Sequence, residues 1–271
     1  MRVSTRARSC VEGPGLLAEA IAGGWDVETV YVDDRADPAL VPSGIDVRHL
    51  GRGVLERVAT TETPQPILAV VRQRDDRCAP SRYAALVLVA DGINDPGNLG
   101  TMLRSAEAAG FDAVVTTPGT VDAYNPKVLR ASAGAIFHVR VVVGTLDEVR
   151  AAGLRLVGTS SHTGTDHTGF DWRPPVAIVV GSEAHGLADD APVDDWVRIT
   201  HAGRAESLNV AMAATPSASP PRRPPPYLEN SHASDAVLRR GRDEIRRVRA
   251  SSTSWIASAR GVPGWRCLRA R

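Results

Sequence analysis

The sequence predicts an α/β fold, with a small N-terminal α/β substrate-binding module and a larger module built on a mostly parallel sheet. Along residues 83–214, apolar runs of strand length alternate with segments of helical periodicity, which is typical of parallel sheets covered by helices on both faces. Residues 1–77 repeat this alternation on a smaller scale. A polar stretch with Pro80 separates the two regions, so we expect a linker at 78–82.

Each element follows from the local pattern. In the N-terminal module, recurring apolar residues predict a helix at 15–21, and short apolar runs predict strands at 27–32, 45–50 and 67–71. In the larger module the predicted strands are 84–90, 112–116, 155–159 and 175–180. The predicted helices are 98–109, 127–135 and 145–152.

The stretch at 91–111, DGINDPGNLGTMLRSAEAAGF, is the first candidate for chemistry. The apolar run before it breaks at Asp-Gly, and the pattern predicts a tight loop followed by a helix that Asn98 caps. Gly97 and Gly100 allow another segment or a ligand to approach the backbone closely. Arg104 and Glu107 lie outside the apolar stripe, whose members are Leu99, Met102, Leu103 and Ala106.

Two later segments have a similar design. VAIVVGSEAHGL (176–187) is an apolar strand that leads into a glycine-bounded polar loop. WVRITHAGRAESLNVAMAA (196–214) predicts a short strand, a loop and a helix that begins at Glu206 or Ser207. All three loops follow strands, and a doubly wound sheet places its ligand beyond the carboxyl ends of its strands.

Composition and absent motifs narrow the class of protein. No apolar run approaches the roughly 20 residues that a membrane span needs, and the N-terminus lacks a signal-like apolar core, so we expect a cytoplasmic protein. The three cysteines have no CxxC spacing and indicate unpaired thiols in a reducing compartment. His162 and His167 have no further ligand cluster nearby, so we expect no metal. Leu187 stands where a phosphate-binding loop needs lysine, so this loop does not match that motif. The absence of GxGxxG after a strand argues against a nicotinamide-binding site, and the absence of GxSxG argues against a serine hydrolase.

The charge alone does not identify a partner. The net charge is only +1, but Lys127 is the sole lysine among 32 basic residues. An arginine bias is compatible with RNA, because guanidinium groups suit phosphate oxygens and stack on bases. GC-rich coding would produce the same bias.

Three blocks, DPGNLGTMLRSAEAAG, VGSEAHGL and ESLNVAMAA, with NPKVLRASAGAIF between the first two, resemble the motifs of the SpoU (TrmH-like) family of RNA 2′-O-ribose methyltransferases. SCVEGPGLLAEAIAGGWDVETVYVDD and TETPQPILAVVRQ resemble parts of that family's substrate-binding domain. The resemblance implies a SPOUT-type domain with a C-terminal trefoil knot, S-adenosylmethionine as cofactor and a homodimer. It implies structured RNA as substrate, with ribosomal RNA favoured over transfer RNA.

The resemblance also implies the site residues. The expected cofactor-binding residues are Thr159, Gly181, Glu183, Gly186, Ile199 and Leu208. The residues expected around the target ribose and phosphate are Asn98, Arg104, Ser207 and Asn209, and Arg130 is expected to hold RNA. A guanidinium stays protonated in proteins, so we expect Arg104 to bind phosphate and stabilise a developing alkoxide rather than act as a base. From charge alone, Arg8 and Arg72 are further candidates for contacts with the RNA backbone.

The tail at 215–271 departs from the family pattern. Pro216 and five more prolines up to Pro226 end the last motif helix, and the remainder is rich in arginine, serine and alanine. A disordered basic tail that adds RNA affinity is one explanation. A frameshift near codon 215 is the other, and it leads to an alternative function as an RNA-binding protein with impaired catalysis. A neighbouring reading frame without an apolar helical continuation would exclude the frameshift.

Overall fold

The computed structural model describes residues 7–41, 43–59, 61, 63–74, 86–182 and 185–198. The predicted linker, the helix of the third motif and the tail lie outside these residues. So does the segment beyond Arg198, and the predicted trefoil knot therefore stays a prediction.

Within the described residues the N-terminal module has a four-stranded sheet in the order β1-β4-β2-β3. β4 is antiparallel to both β1 and β2, and β3 is parallel to β2. Its elements in chain order are β1 (Arg8–Glu12), α1 (Pro14–Ala22), β2 (Val27–Val32), a 3-10 turn (Pro38–Leu40), β3 (Asp46–His49), α2 (Leu55–Val58) and β4 (Ile67–Arg72). The four predicted elements are confirmed, whereas β1 and α2 were not predicted.

Within the described residues the larger module has a seven-stranded sheet in the order β7-β6-β5-β10-β8-β11-β9. Every pairing in it is parallel, which confirms the predicted fold class. Its strands are β5 (Leu86–Ala90), β6 (Ala113–Thr116), β7 (Arg140–Val143), β8 (Arg155–Ser160), β9 (Thr165–Asp166), β10 (Val176–Val180) and β11 (Asp195–Arg198). Its helices are α3 (Pro96–Ala109), α4 (Pro126–Ala131) and α5 (Leu146–Ala151), with 3-10 turns at Ala135–Phe137 and His167–Gly169.

The central strands are buried on both faces, which explains their continuous apolar sequences. Leu88 and Ile178 pack on one face of the sheet with the buried residues of α3 and α4. Val87 and Val179, their neighbours in sequence, pack on the other face with Val149 of α5. Because successive strand residues point to opposite faces, both faces of the sheet need apolar side chains.

Helix α3 begins earlier than predicted, and the expectation that Asn98 caps it is wrong. The N-cap is Asp95, whose Oδ1 accepts the backbone N–H of Asn98 at 2.8 Å. Pro96 takes the first helical position, where its missing N–H costs nothing. Gly110 ends the helix in the left-handed conformation.

The two modules share one hydrophobic core. Trp25 of the N-terminal module donates its indole N–H to the carbonyl oxygen of Phe137 at 3.0 Å, and the two rings pack edge to face at 5.1 Å. Gly23 lies so close to Phe137 that a Cβ on it would be 2.4 Å from the Phe137 carbonyl oxygen. The N-terminal module therefore forms part of a single packed body with the larger sheet.

None of the helices in the described part of the chain combines the length and apolar character needed to span a membrane.

Candidate active site

The strand order of the larger sheet reverses at β5, which makes this strand the topological switch point of the sheet. β6 and β7, the next two strands in the sequence, lie on one side of β5. The later strands lie on its other side, in the spatial order β10, β8, β11 and β9. Such a switch point is where doubly wound proteins bind ligands. The loops that follow β5, β8 and β10 all leave the carboxyl edge of the larger sheet.

The loop after β5 is anchored to both neighbouring strands. The backbone N–H of Asp91 donates to the carbonyl oxygen of Val180 at 2.9 Å, which ties the loop to β10. The Thr117 hydroxyl donates to Asp91 Oδ1 at 2.7 Å, and the Thr120 hydroxyl donates to the Ala90 carbonyl at 2.9 Å. These bonds fix the segment that leads into α3.

The loop after β10 requires glycine at its first position. A Cβ on Gly181 would lie 2.2 Å from the carbonyl carbon of Gly186, because the loop folds back on itself at this point. The Gly186 N–H donates to the Ser182 carbonyl at 2.8 Å, and Gly186 itself has a φ of 67°. The two predicted cofactor-binding glycines therefore pack against each other in a tight turn.

The loop after β8 lies beside this turn. The Thr159 hydroxyl donates to the Val179 carbonyl at 3.0 Å, so the predicted cofactor residue joins β8 to β10. A Cβ on Gly158 would meet Leu187 at 3.0 Å and the Trp196 ring at 3.1 Å. Leu187 and Trp196 thus cover the strand just before the site.

Helix α3 presents the predicted catalytic residues. Asn98 lies in the first turn of the helix and is half-buried, whereas Arg104 lies nearer the C-terminal end of the helix and is exposed. Because they are six positions apart and the rise is about 1.5 Å per residue, they are about 9 Å apart along the helix axis. Gly100, which lies between them, packs against α4, since a Cβ on it would be 2.4 Å from the Ala131 Cβ.

The three arginines predicted to contact RNA all have carboxylate partners. Arg8 and Arg72 lie directly opposite each other on β1 and β4, and each bonds to Glu28 at 2.5 Å. The hydrogen bond from Arg8 is the main cause that holds the pKa of Glu28 below its ordinary value of 4.5, and Arg72 adds to it. Arg130 Nη1 lies 3.8 Å from Glu12 Oε2.

Five predicted site residues fall outside the described residues, namely Glu183, Ile199, Ser207, Leu208 and Asn209. The structure brings together Thr159, Gly181 and Gly186 beside the β5 loop, and the functional roles of all the predicted site residues stay predictions. Within the described ranges, no group of three or more His, Cys, Asp and Glu side chains is placed to hold a metal ion.

Sequence reasoning missed several residues that shape this site. Asp95 caps α3, and Asp-Pro at a helix start is a signal that could have identified it. Trp196 was read only as part of a strand, yet its carbonyl oxygen would lie 2.2 Å from a Cβ on Gly164, whose φ is 102°. No local sequence signal reports such a contact between a strand and a loop.

The fold and the site define an α/β protein with a candidate ligand site at the switch point of a parallel sheet. The chain belongs to the SpoU rRNA Methylase family, whose sequence model matches residues 85–215. Residues 4–69 match the MRM3-like substrate binding domain. The family resemblance is confirmed.

Individual relatives support the same assignment. The 23S rRNA (guanosine(2553)-2′-O)-methyltransferase RlmP of Bacillus subtilis is 38% identical over 213 residues, which is 75% of this chain and 84% of that protein. The 23S rRNA (uridine(2479)-2′-O)-methyltransferase of Streptomyces viridochromogenes is 32% identical over 231 residues, which is 76% of this chain and 79% of that protein. The crystal structure of the SpoU methyltransferase AviRb from that organism, in complex with AdoMet, superimposes with a TM-score of 0.68 at 30% identity, over 77% of this chain and 87% of that one.

Proposed function

We propose that the protein transfers a methyl group from S-adenosylmethionine to a ribose 2′-hydroxyl of structured RNA, and that this RNA is ribosomal. The observation that carries the proposal is the convergence of the Gly181 turn, the Thr159 strand end and the α3 loop at one edge of the parallel sheet. Two relatives with 23S rRNA 2′-O-methyltransferase names cover most of the chain, and this favours ribosomal RNA as substrate.

The residues at this edge fit the cofactor. Apart from Gly186 and its two chain neighbours, no described residue has an atom within 4 Å of the place where a Cβ on Gly186 would stand, and this open space is compatible with a ligand beside the backbone. S-adenosylmethionine supplies an electrophilic methyl group on a sulfonium centre. Thr159, Gly181 and Gly186 would hold it, together with Glu183, Ile199 and Leu208 from the resemblance.

Arg104 and Asn98 serve the RNA side of the reaction. Arg104 is permanently cationic, so it binds the phosphate next to the target ribose and stabilises negative charge on the ribose oxygen. Asn98 offers a carboxamide at the helix start, where it orients the hydroxyl group. Ser207 and Asn209 complete this polar set in the proposal.

The N-terminal module supplies affinity for RNA in this scheme. Arg8 and Arg72 of this module are proposed contacts with the phosphate backbone, and Arg130 of α4 in the larger module is a third. Their present carboxylate partners hold the guanidinium groups in defined positions. We further propose that the protein acts in the cytoplasm as a homodimer.

The full chain provides the test. Calorimetry with S-adenosylmethionine should detect binding, and radiolabelled methyl groups should enter an unmodified 23S rRNA transcript at a ribose 2′-oxygen. Arg104→Ala should lower kcat by about 10²- to 10³-fold, as loss of one charge-stabilising group does in other active sites, and it should leave cofactor affinity unchanged. Glu107→Gln is the matched control, because Glu107 is exposed on the same helix, and it should retain full activity.

Two results would contradict the proposal. A chain that ignores the cofactor is not a methyltransferase. A chain that binds RNA but incorporates no methyl group fits the alternative, an RNA-binding protein with impaired catalysis.

A further inference from the structure

A cleft between the two modules contains a carboxylate and a guanidinium on otherwise apolar walls. The N-terminal side is formed by β1, β4 and the end of α2, and the other side by α4. Leu68 and Val58 line the first side, and Pro126 and Leu129 line the second. Glu12 and Arg130 face each other across this cleft.

Glu12 is held firmly by its own module. Its side chain is only 6% exposed, and its Oε1 accepts the Thr61 hydroxyl at 2.5 Å and the Gln65 backbone N–H at 3.1 Å. The other carboxylate oxygen points to Arg130 Nη1 at 3.8 Å. A nearly buried carboxylate is costly to leave without a counterion, so it constrains where the Arg130 guanidinium lies.

Arg130 is the more accessible partner. Its side chain is 31% exposed, so a phosphate group can reach it from solvent. It lies in the last turn of α4. That helix packs at Ala131 against Gly100 of α3, the helix that bears Arg104.

We propose that Glu12 is a positioning residue that presents the Arg130 guanidinium to the RNA backbone, and so connects RNA capture by the N-terminal module with the site on α3. The assignment rests on the proposed function. Because Glu12 already restricts the Arg130 side chain, Arg130 loses less conformational entropy when RNA binds, and the affinity for RNA is higher. Glu12 touches neither substrate nor cofactor and acts only through Arg130.

The test measures affinity for an unmodified 23S rRNA transcript. Glu12→Gln keeps the acceptor for Thr61 and Gln65 but removes the charge. Its Kd for the transcript should rise about 3- to 10-fold, the range expected when one long side chain must be immobilised on binding. Binding of S-adenosylmethionine should not change. Arg130→Ala should weaken RNA binding further, and the double variant should match Arg130→Ala within about twofold, because Glu12 has no effect once Arg130 is absent.

Glu19→Gln is the matched control. Glu19 also makes a polar contact between the modules, from its Oε2 to His138 Nε2 at 2.7 Å. If Glu19→Gln weakens RNA binding as much as Glu12→Gln, the effect comes from docking of the modules and the proposal is overturned. It is also overturned if Glu12→Gln binds as tightly as the wild type, or if the two single effects add.

A second variant tests the same proposal if Glu12→Gln folds poorly. Thr61→Val removes one of the two bonds that fix the carboxylate, and it should produce a smaller rise in the same Kd. Methylation by the wild type separates the two proposals. If the wild type methylates RNA but Glu12→Gln and Thr61→Val bind normally, only the role of Glu12 fails. If the wild type does not methylate, the proposed function fails.

Discussion

The carboxyl edge of the larger sheet and the surface of the N-terminal sheet solve the problem of placing functional groups in different ways. At the carboxyl edge, backbone segments touch where glycine leaves no Cβ, as at Gly181. On the N-terminal sheet, Arg8 and Arg72 are placed by charge, through a shared Glu28. Positions of close backbone contact tolerate almost no substitution. Each exposed ion pair contributes little to stability, so its residues tolerate many substitutions.

The largest effect expected from this difference follows Gly181→Ala. The added methyl group would overlap the backbone of Gly186, and overpacking of this kind costs roughly 1–3 kcal/mol. If the turn shifts, we expect affinity for S-adenosylmethionine to fall by about 10- to 100-fold in calorimetry.

Gly169→Ala is the control for this variant, because a Cβ on Gly169 meets nothing within 4 Å. Its cofactor affinity and Tm should equal those of the wild type. Unchanged affinity in Gly181→Ala would show that this edge is not held by backbone contact.

An intermediate effect is expected from Asp95→Ala. Loss of an N-cap costs about 0.5–2 kcal/mol, so the free energy of unfolding in urea should fall by that amount. Asn98→Ala keeps the cap, since the Asn98 backbone N–H is the donor to Asp95. It should therefore remain stable but lose methyl transfer. If Asn98→Ala is the less stable variant, the assignment of the cap is wrong.

The smallest effect is expected from Glu28→Gln and depends on pH. Because Arg8 and then Arg72 lower the pKa of Glu28 in the folded state, its contribution to stability is present above the unfolded pKa. The contribution is lost as the pH falls through the folded pKa. Urea midpoints of the wild type should thus decline more steeply than those of Glu28→Gln between about pH 5 and 3. Parallel curves would mean that this carboxylate contributes nothing to stability.

Much of the fold could be predicted from the sequence because burial on both faces leaves a clear pattern. The runs at 86–90 and 176–180 are continuously apolar, and the structure shows them as neighbouring strands in which every residue except the half-buried Leu86 is buried. The inward residues of α3 were also predicted correctly, since helical periodicity reports one buried stripe.

Short edge elements escaped prediction. β1 reads RSCVE and β7 reads RVVV, and each contains exposed positions whose pattern differs little from that of a loop. Their strand character depends on pairing with β4 and β6, which is not a local property.

The site was predictable only in part. The glycines of the β10 loop bound a polar segment after an apolar strand, and this pattern predicted a loop. The structure shows why glycine is required at Gly181. The pairing of Glu12 with Arg130 could not be predicted, because the two residues lie 118 positions apart in the sequence and only the docking of the two modules brings them together.

The shared core has a consequence for synthesis of the chain. When the first 74 residues have left the ribosome, Trp25 has no Phe137 against which to pack, and the carbonyl oxygen that accepts its indole N–H does not yet exist. A large aromatic surface that is 8% exposed in the finished protein then faces solvent. The packing of Trp25 in the N-terminal module is therefore complete only after α4 and the 3-10 turn that contains Phe137 have been translated.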